Sequence, residues 1–203
     1  MNLALFYDTE TTGLPLFSEP SEHPQQPHIV QLGAALVDLD TRRVVNSMDV
    51  IVRPDGWTIP SEVASIHGIS TELASDVGLS AKAVIEMLLD LWAGKRVRIA
   101  HNEHFDARLV RIACMRHAPL FADRWKDGKA ECTAKLATPI VKCPPTAKMI
   151  AAGRTHYKTA NLSEAVLHFT GKPLVNAHSA MADVLGCIDV YFAIRDLAQA
   201  KAA

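Results

Sequence analysis

The first 41 residues contain no lysine or arginine. A secretory leader begins with a basic stretch. The apolar opening Leu3-Ala4-Leu5-Phe6-Tyr7 stops at Asp8, too short for a leader's hydrophobic segment. Both features predict an intracellular, cytoplasmic protein. No apolar run approaches the roughly 18 residues that a membrane span needs, so no membrane partner is expected. The four cysteines, Cys114, Cys132, Cys143 and Cys187, include no Cys-x-x-Cys pair. That removes zinc-knuckle and disulfide-framework readings and leaves buried or half-buried free thiols. Glycine and proline number 10 and 11 of 203 residues, which excludes collagen-like and low-complexity chains.

Net charge is also nearly absent, at −1, but its distribution is uneven. Residues 1–93 carry 13 acidic and 4 basic side chains, whereas residues 94–158 carry 14 basic and 5 acidic ones. A basic middle of this kind suits either a face that binds a polyanion or a solvated surface with no partner.

The apolar and aromatic residues 3–7 read as a short buried strand. Residues 15–28, with four prolines and no periodicity, read as a surface loop. Residues 29–38 and 44–52 have strand character, with a turn at Asp40–Arg43, and the first strand should be central in their sheet. Ser70 or Thr71 suits the cap of a short helix. Ser80 suits the cap of a longer one, with Val84, Met87, Leu88 and Leu91 as its apolar stripe and Gly94 as its stop. Residues 97–100 read as a buried strand leading into a helix near 103–117, where Phe105, Leu109, Ile112 and Ala113 share a face. A further helix is expected at 133–141, and 142–159 reads as irregular. Asn161 and Glu164 form a near capping box before a helix that Gly171 and Pro173 end. The last helix starts near Ser179 or Ala180 and runs to about Ala198. The pattern predicts one α/β or α+β domain over 1–203 with a mixed sheet.

Three short stretches carry chemistry. In Asp8-Thr9-Glu10, extended-chain alternation puts both carboxylates on one side at the end of a buried strand. Such a pair repels itself unless protons or a hard cation such as Mg²⁺ or Mn²⁺ neutralise it. Taken alone, it also reads as a solvated acidic strand end. In His101-Asn102-Glu103-His104-Phe105-Asp106, Asp106 falls near a helix N-terminus, where an acidic residue is also comfortable structurally. Phe105 suits the core, and Asn102 suits an N-cap. In His178-Ser179-Ala180-Met181-Ala182-Asp183, a histidine stands at the mouth of a helix with an aspartate inside it.

Together the stretches DTETTGL at 8–14, HNEHFD at 101–106 and HSAMAD at 178–183 resemble the three exonuclease motifs of the DEDDh 3′–5′ exonucleases. This superfamily includes the proofreading epsilon subunit of DNA polymerase III and ribonuclease T. Ser65-Ile66-His67-Gly68-Ile69 is similar to the family's HGI element between the first two motifs. The resemblance runs from Asp8 to about Phe192. It implies an α/β, ribonuclease H-like fold, with a mixed five-stranded sheet flanked by helices. It also implies metal-dependent release of nucleoside 5′-monophosphates from DNA 3′ ends, single-stranded or frayed, by a two-metal-ion mechanism. Two divalent cations, Mg²⁺ or Mn²⁺, would be held by Asp8, Glu10, Asp106 and Asp183, with Asp8 bridging. Glu10 and Asp183 would complete the tighter site, and His178 would be the general base. Thr11 and Thr12 would hold the terminal 3′-hydroxyl. Leu14, His67 and Phe105 would pack around the terminal base or sugar, and Asn102 would contact the backbone. Lys142, Lys148, Arg154 and Lys158 are candidates for guiding the strand.

Two departures from the family stand out. No polymerase-binding tail follows Asp183 of the kind the epsilon subunit carries, which predicts no tethering through such a tail. The Pro-rich 15–28 stretch is longer than the usual link after the first motif, and it either shapes substrate access or decorates the surface. The alternative readings are an RNA 3′–5′ exonuclease of the ribonuclease T or oligoribonuclease type, a catalytically inactive nucleic-acid-binding module, and a metal-dependent small-molecule phosphatase.

Overall fold

The computed structural model describes residues 1–202, with side chains described to residue 200. Five strands form one mixed sheet: β1 (Leu3–Thr11), β2 (Ile29–Asp38), β3 (Arg43–Ile51), β4 (Val97–Ala100) and β5 (Ala130–Cys132). Their spatial order is β3-β2-β1-β4-β5. The β1–β2 and β2–β3 pairs are antiparallel, and β4 and β5 join parallel to β1 and to each other. The expected mixed sheet with a central first strand is therefore present. β1 does not stop at Tyr7, however. It continues through Thr11 because β2 pairs with it along its whole length, so Asp8 and Glu10 are ladder residues rather than loop residues.

Alternation along β1 divides the interior. Leu5 and Tyr7 face a core built with helices α3 (Ala81–Trp92), α4 (Glu103–His117) and α5 (Ala122–Asp127). Ala4 and Phe6 face a second core completed by Val184, Cys187, Ile188 and Tyr191 of helix α9 (Ala180–Ala202). The strand at the middle of the sheet thus meets helices on both faces. Its apolar run ends where the carboxylates begin.

Local signals set many element ends. Ser70 caps α2 (Thr71–Val77) by accepting from the Leu73 N–H, and Ser80 caps α3 by accepting from the Ala83 N–H. The capping box at α8 (Leu162–Thr170) is complete between Asn161 and Glu164. Other expectations are corrected. In α3 the buried stripe is Val84, Ile85, Leu88, Leu89 and Trp92, while Met87 stays partly exposed, because the helix rolls its Trp92 edge inward against Trp125. Ala93, not Gly94 alone, takes the left-handed turn that ends α3. Asn102 is left-handed with no side-chain capping bond. No sequence signal marks α1 (Ser61–His67), α5 or the three-residue β5. Within the stretch 142–159, expected to be irregular, lies α7 (Ala147–Ala151), next after α6 (Thr133–Val141).

The Pro-rich 15–28 segment is fastened down. The buried Gln26 amide accepts from the Leu16 N–H (3.0 Å) and donates to the Leu16 and Pro20 carbonyls (2.9 Å each). Arg108 donates to the Glu19 carbonyl, and Arg116 donates to those of Gln26 and Pro27. Phe17 stacks on His104 of α4 with ring centroids 5.3 Å apart, yet remains half exposed.

Candidate active site

β1 presents Asp8 and Glu10 on the sheet face covered by α9. α9 enters directly above them because β2 lets it approach. Gly33 pairs with Asp8 across the ladder, and a β-carbon there would lie 2.7 Å from the Ala180 carbonyl carbon and 2.8 Å from the Met181 nitrogen. Gln31, opposite Glu10, accepts from the Ala180 N–H (3.2 Å) and donates to Asp49 (2.7 Å). The first turn of α9 is thereby fixed in height and direction. Sequence reading missed both residues, since nothing local marks a glycine or glutamine in a strand as a spacer for a distant helix. Gly33→Ala should cost about 1–3 kcal/mol of stability by overpacking and lower turnover together with it. Thermal unfolding and activity measured on one preparation check this, and full activity would show that α9 tolerates displacement.

Glu10, Asp183 and His178 converge: each offers a ligand atom, and these atoms all lie within 4.8 Å of one another. His178 is exposed in a bend before α9 where both it and Asn176 have positive φ, a conformation that costs a non-glycine residue energy and aims the ring at a chosen place. Asp183 Oδ1 is buried with no hydrogen-bond partner. Asp106, 2% exposed, reaches the same region from the first turn of α4, and its Oδ1 accepts from the Thr9 N–H (3.0 Å) and hydroxyl (2.8 Å). Behind it Glu103 accepts from the Tyr7 hydroxyl (2.9 Å) and lies 3.4 Å from the buried Arg98, whose guanidinium covers Trp125.

The electrostatics of this group are those of anions short of counter-charge. Burial, then the charges of Asp106, Asp183 and Glu10, holds the Asp8 carboxyl well above the usual carboxylate range. Burial and Asp183 push Glu10 up to about 7, against the opposing pull of His178. Burial pushes Asp106 up to about 8 despite the two Thr9 hydrogen bonds. Asp183 is raised by burial, with His178 acting the other way. Four carboxyl groups crowded here hold protons unless cations replace them.

Of the sequence-derived substrate residues, Thr11, Thr12 and His67 are held by local hydrogen bonds. Thr11 uses its hydroxyl to hold the turn, donating to the Gly13 carbonyl (2.8 Å), and the Thr12 hydroxyl accepts from the His28 N–H (2.9 Å). The His67 ring accepts from the Ile69 N–H at Nδ1 (3.1 Å), which leaves Nε2 as a buried donor without a partner. Burial, then the nearby charge of His178, holds the His67 ring below the usual imidazole range, with the Thr11 backbone acting the other way. Leu14 is 78% exposed, Asn102 is exposed and Phe105 is half-buried against the core. Lys158 is drawn away from strand guiding, since its ammonium lies 2.5 and 2.7 Å from the two Glu164 carboxylate oxygens.

The exonuclease family model RNase_T matches residues 5–191. The chain belongs to the RNase_T exonuclease family. That span contains all three motifs, and with it the resemblance to the 3′–5′ exonuclease superfamily is shown. Among this family member's relatives is Exodeoxyribonuclease 10 of Escherichia coli K12, 34% identical over 103 residues, 51% of this chain and 38% of the relative. The chain thus spans well under half of that protein. Solved structures sharing the fold include E. coli exonuclease I in complex with a dT13 oligonucleotide. Its TM-score is 0.71 at 20% identity, covering 94% of this chain and 40% of that one. A moderately thermophilic exonuclease I from Methylocaldum szegediense matches with TM-score 0.70 at 19% identity, covering 97% and 41%.

Proposed function

We propose that this RNase_T family member is a divalent-metal-dependent 3′–5′ exonuclease that releases nucleoside 5′-monophosphates from single-stranded or frayed DNA ends. The observation that carries the reading is the convergence of Glu10, Asp183 and His178 around an unpartnered, buried Asp183 oxygen. An unpartnered carboxylate oxygen among crowded carboxyl groups with raised pKa values fits a cation, and oxygen donors of this kind suit Mg²⁺ or Mn²⁺. Asp8, Glu10, Asp106 and Asp183 would hold two such ions. When bound, the pair supplies the positive charge that attack on an anionic phosphodiester needs.

The chain's own residues do the rest. His178 takes the proton of the attacking water at its imidazole nitrogen, the water oxygen bonds to the terminal phosphorus, and the bond to the 3′-oxygen of the preceding nucleotide breaks, that oxygen taking up a proton from solvent. The Thr11–Gly13 turn, whose side chains are engaged in holding it, meets the terminal 3′-hydroxyl with its backbone. His67 Nε2–H donates to the terminal sugar or base. Leu14 and Phe105 flank the base with apolar surface, which does not discriminate among bases. Asn102 meets the backbone. DNA is favoured over RNA by the deoxyribonuclease relative and by the oligodeoxynucleotide in the exonuclease I structure.

A digestion series tests this. Matched 5′-labelled DNA and RNA oligonucleotides are incubated with Mg²⁺ or Mn²⁺, with EDTA, and with Asp8→Ala protein. A ladder shrinking from the 3′ end, lost in EDTA and in the variant, is the expected result, faster on DNA. Faster shortening of RNA would reverse the substrate assignment, and activity persisting in chelator would reject the metal requirement.

Proton load gives a second prediction. The folded pKa values of Glu10 and Asp106, about 7 and 8, lie above their ordinary 4.5 and 3.8. Their contribution to stability is therefore complete below about pH 4 and is lost as pH rises through 7 to 8. In chelator the unfolding midpoint should fall between pH 5.5 and 8, and Mn²⁺ should raise it more at pH 8 than at pH 5.5. A cation-induced shift that is the same at both values would separate cation binding from these carboxylates.

A further inference from the structure

Between Glu131 and Glu164 the chain runs 32 residues without an acidic side chain, while carrying Lys135, Lys142, Lys148, Arg154 and Lys158. Residues 143–158 of this run, with Lys142 at the foot, form a closed arm. Its base is tied by the Lys158 N–H donating to the Cys143 carbonyl (3.1 Å). Thr146 caps α7 by accepting from the Met149 N–H (3.2 Å), and the Arg154 N–H returns to the Met149 carbonyl (2.9 Å). From residue 147 to 157 every residue except Met149 is exposed, Ile150 at 60% and Tyr157 at 48%. The arm is ordered by its own hydrogen bonds yet buries almost nothing, so the cores do not account for it.

The arm keeps its charge free. Lys158 is neutralised by Glu164, but among the described residues Lys142, Lys148 and Arg154 have no ion-pair partner. Its root stands against the wall of the active site. The His101 ring donates from Nε2 to the Ala160 carbonyl (3.0 Å), and its Nδ1 meets the Thr133 hydroxyl (2.9 Å). A carbonyl can only accept, which sets this tautomer. His101 leads directly through Asn102 into α4 and Asp106. A cationic projection thus rises beside a centre of four carboxyl groups that by itself repels a polyanion.

We propose that this arm is a landing surface for the phosphodiester backbone of the single strand, upstream of the nucleotide being removed. Lys142, Lys148 and Arg154 contact phosphates, and Tyr157 offers a face to one base. The proposal rests on the exonuclease reading above and extends it to the part of the strand that is not being cut. Contacts of this kind displace condensed counterions, so they are read as salt dependence, about 0.7 in slope per phosphate contact on a single strand. Base stacking on an aromatic ring adds affinity with little dependence on salt.

The test compares wild-type protein with the triple variant Lys142→Ala, Lys148→Ala, Arg154→Ala and with Tyr157→Ala. Binding of a fluorescent single-stranded 20-mer is followed by anisotropy in EDTA across a KCl series. Hydrolysis of the 20-mer and of the p-nitrophenyl ester of thymidine 5′-monophosphate is measured with Mn²⁺. The triple variant should flatten the slope of log K against log salt by about two. It should lose about tenfold in kcat/KM on the 20-mer at low salt and stay within twofold of wild type on the ester. Tyr157→Ala should weaken binding about fivefold at an unchanged slope. An unchanged slope in the triple variant overturns the arm, whether or not the wild type degrades the strand. Equal losses on strand and ester also overturn it, since they mark a distorted centre. A flattened slope with a wild type that degrades nothing leaves the arm standing as a nucleic-acid surface and removes the exonuclease reading.

Discussion

Asp183→Asn protein should fold normally and shorten DNA 3′ ends about 10³-fold more slowly than wild type. The substitution keeps the size of the side chain and removes one negative charge from the centre. If Asp183 helps hold the cation that compensates the phosphate, several kcal/mol of transition-state stabilisation disappear, and each 1.36 kcal/mol is tenfold in rate. Stability should move the other way. The native Asp183 carboxyl is buried, carries an unpartnered oxygen and is raised above its ordinary range. A neutral amide escapes that burial cost, so metal-free Asp183→Asn should melt higher than metal-free wild type at pH 8. Activity by gel and unfolding by circular dichroism read the two effects from one sample. A variant that lost both would show a structural role, and one that kept its activity would remove Asp183 from the centre.

His178→Ala should cost on the order of 10²–10⁴ in kcat, the range for loss of a positioned general base. KM should change much less, because the ring lies at the exposed mouth of the site and supports no core. The signature that separates a base from a mere neighbour is rescue: added imidazole should recover part of the lost rate in the alanine variant. A loss below tenfold, or one carried by KM, would place the base elsewhere.

The three short motifs were legible as a set through their resemblance to the exonuclease motifs, and local geometry explains part of each. Alternation brings Asp8 and Glu10 to one face, and a helix start brings Asp183 within reach of His178. The caps at Ser70, Ser80 and Asn161 were legible for the same reason. The missed elements are short. α5 has six residues, α7 five and β5 three, lengths at which periodicity carries little information and packing decides. The extension of β1 to Thr11 was hidden because a polar strand end resembles a loop until its partner strand is known. Gln31, Gly33 and His101 act through contacts 149, 147 and 59 positions away in the chain, and no local pattern encodes those.

The same split has a consequence for synthesis. Asp8 and Glu10 lie near the start of the chain, Asp106 at its middle and Asp183 in the element that closes the second core. A ribosome delivers these in that order. Until α9 has emerged, one side of the sheet shows Phe6, Val37 and Ile99 bare, and the carboxyl cluster lacks its last member. A half-made chain is therefore sticky, with an incomplete carboxyl cluster. Under the exonuclease proposal, the element that completes the carboxyl cluster is therefore the same one that covers this apolar face.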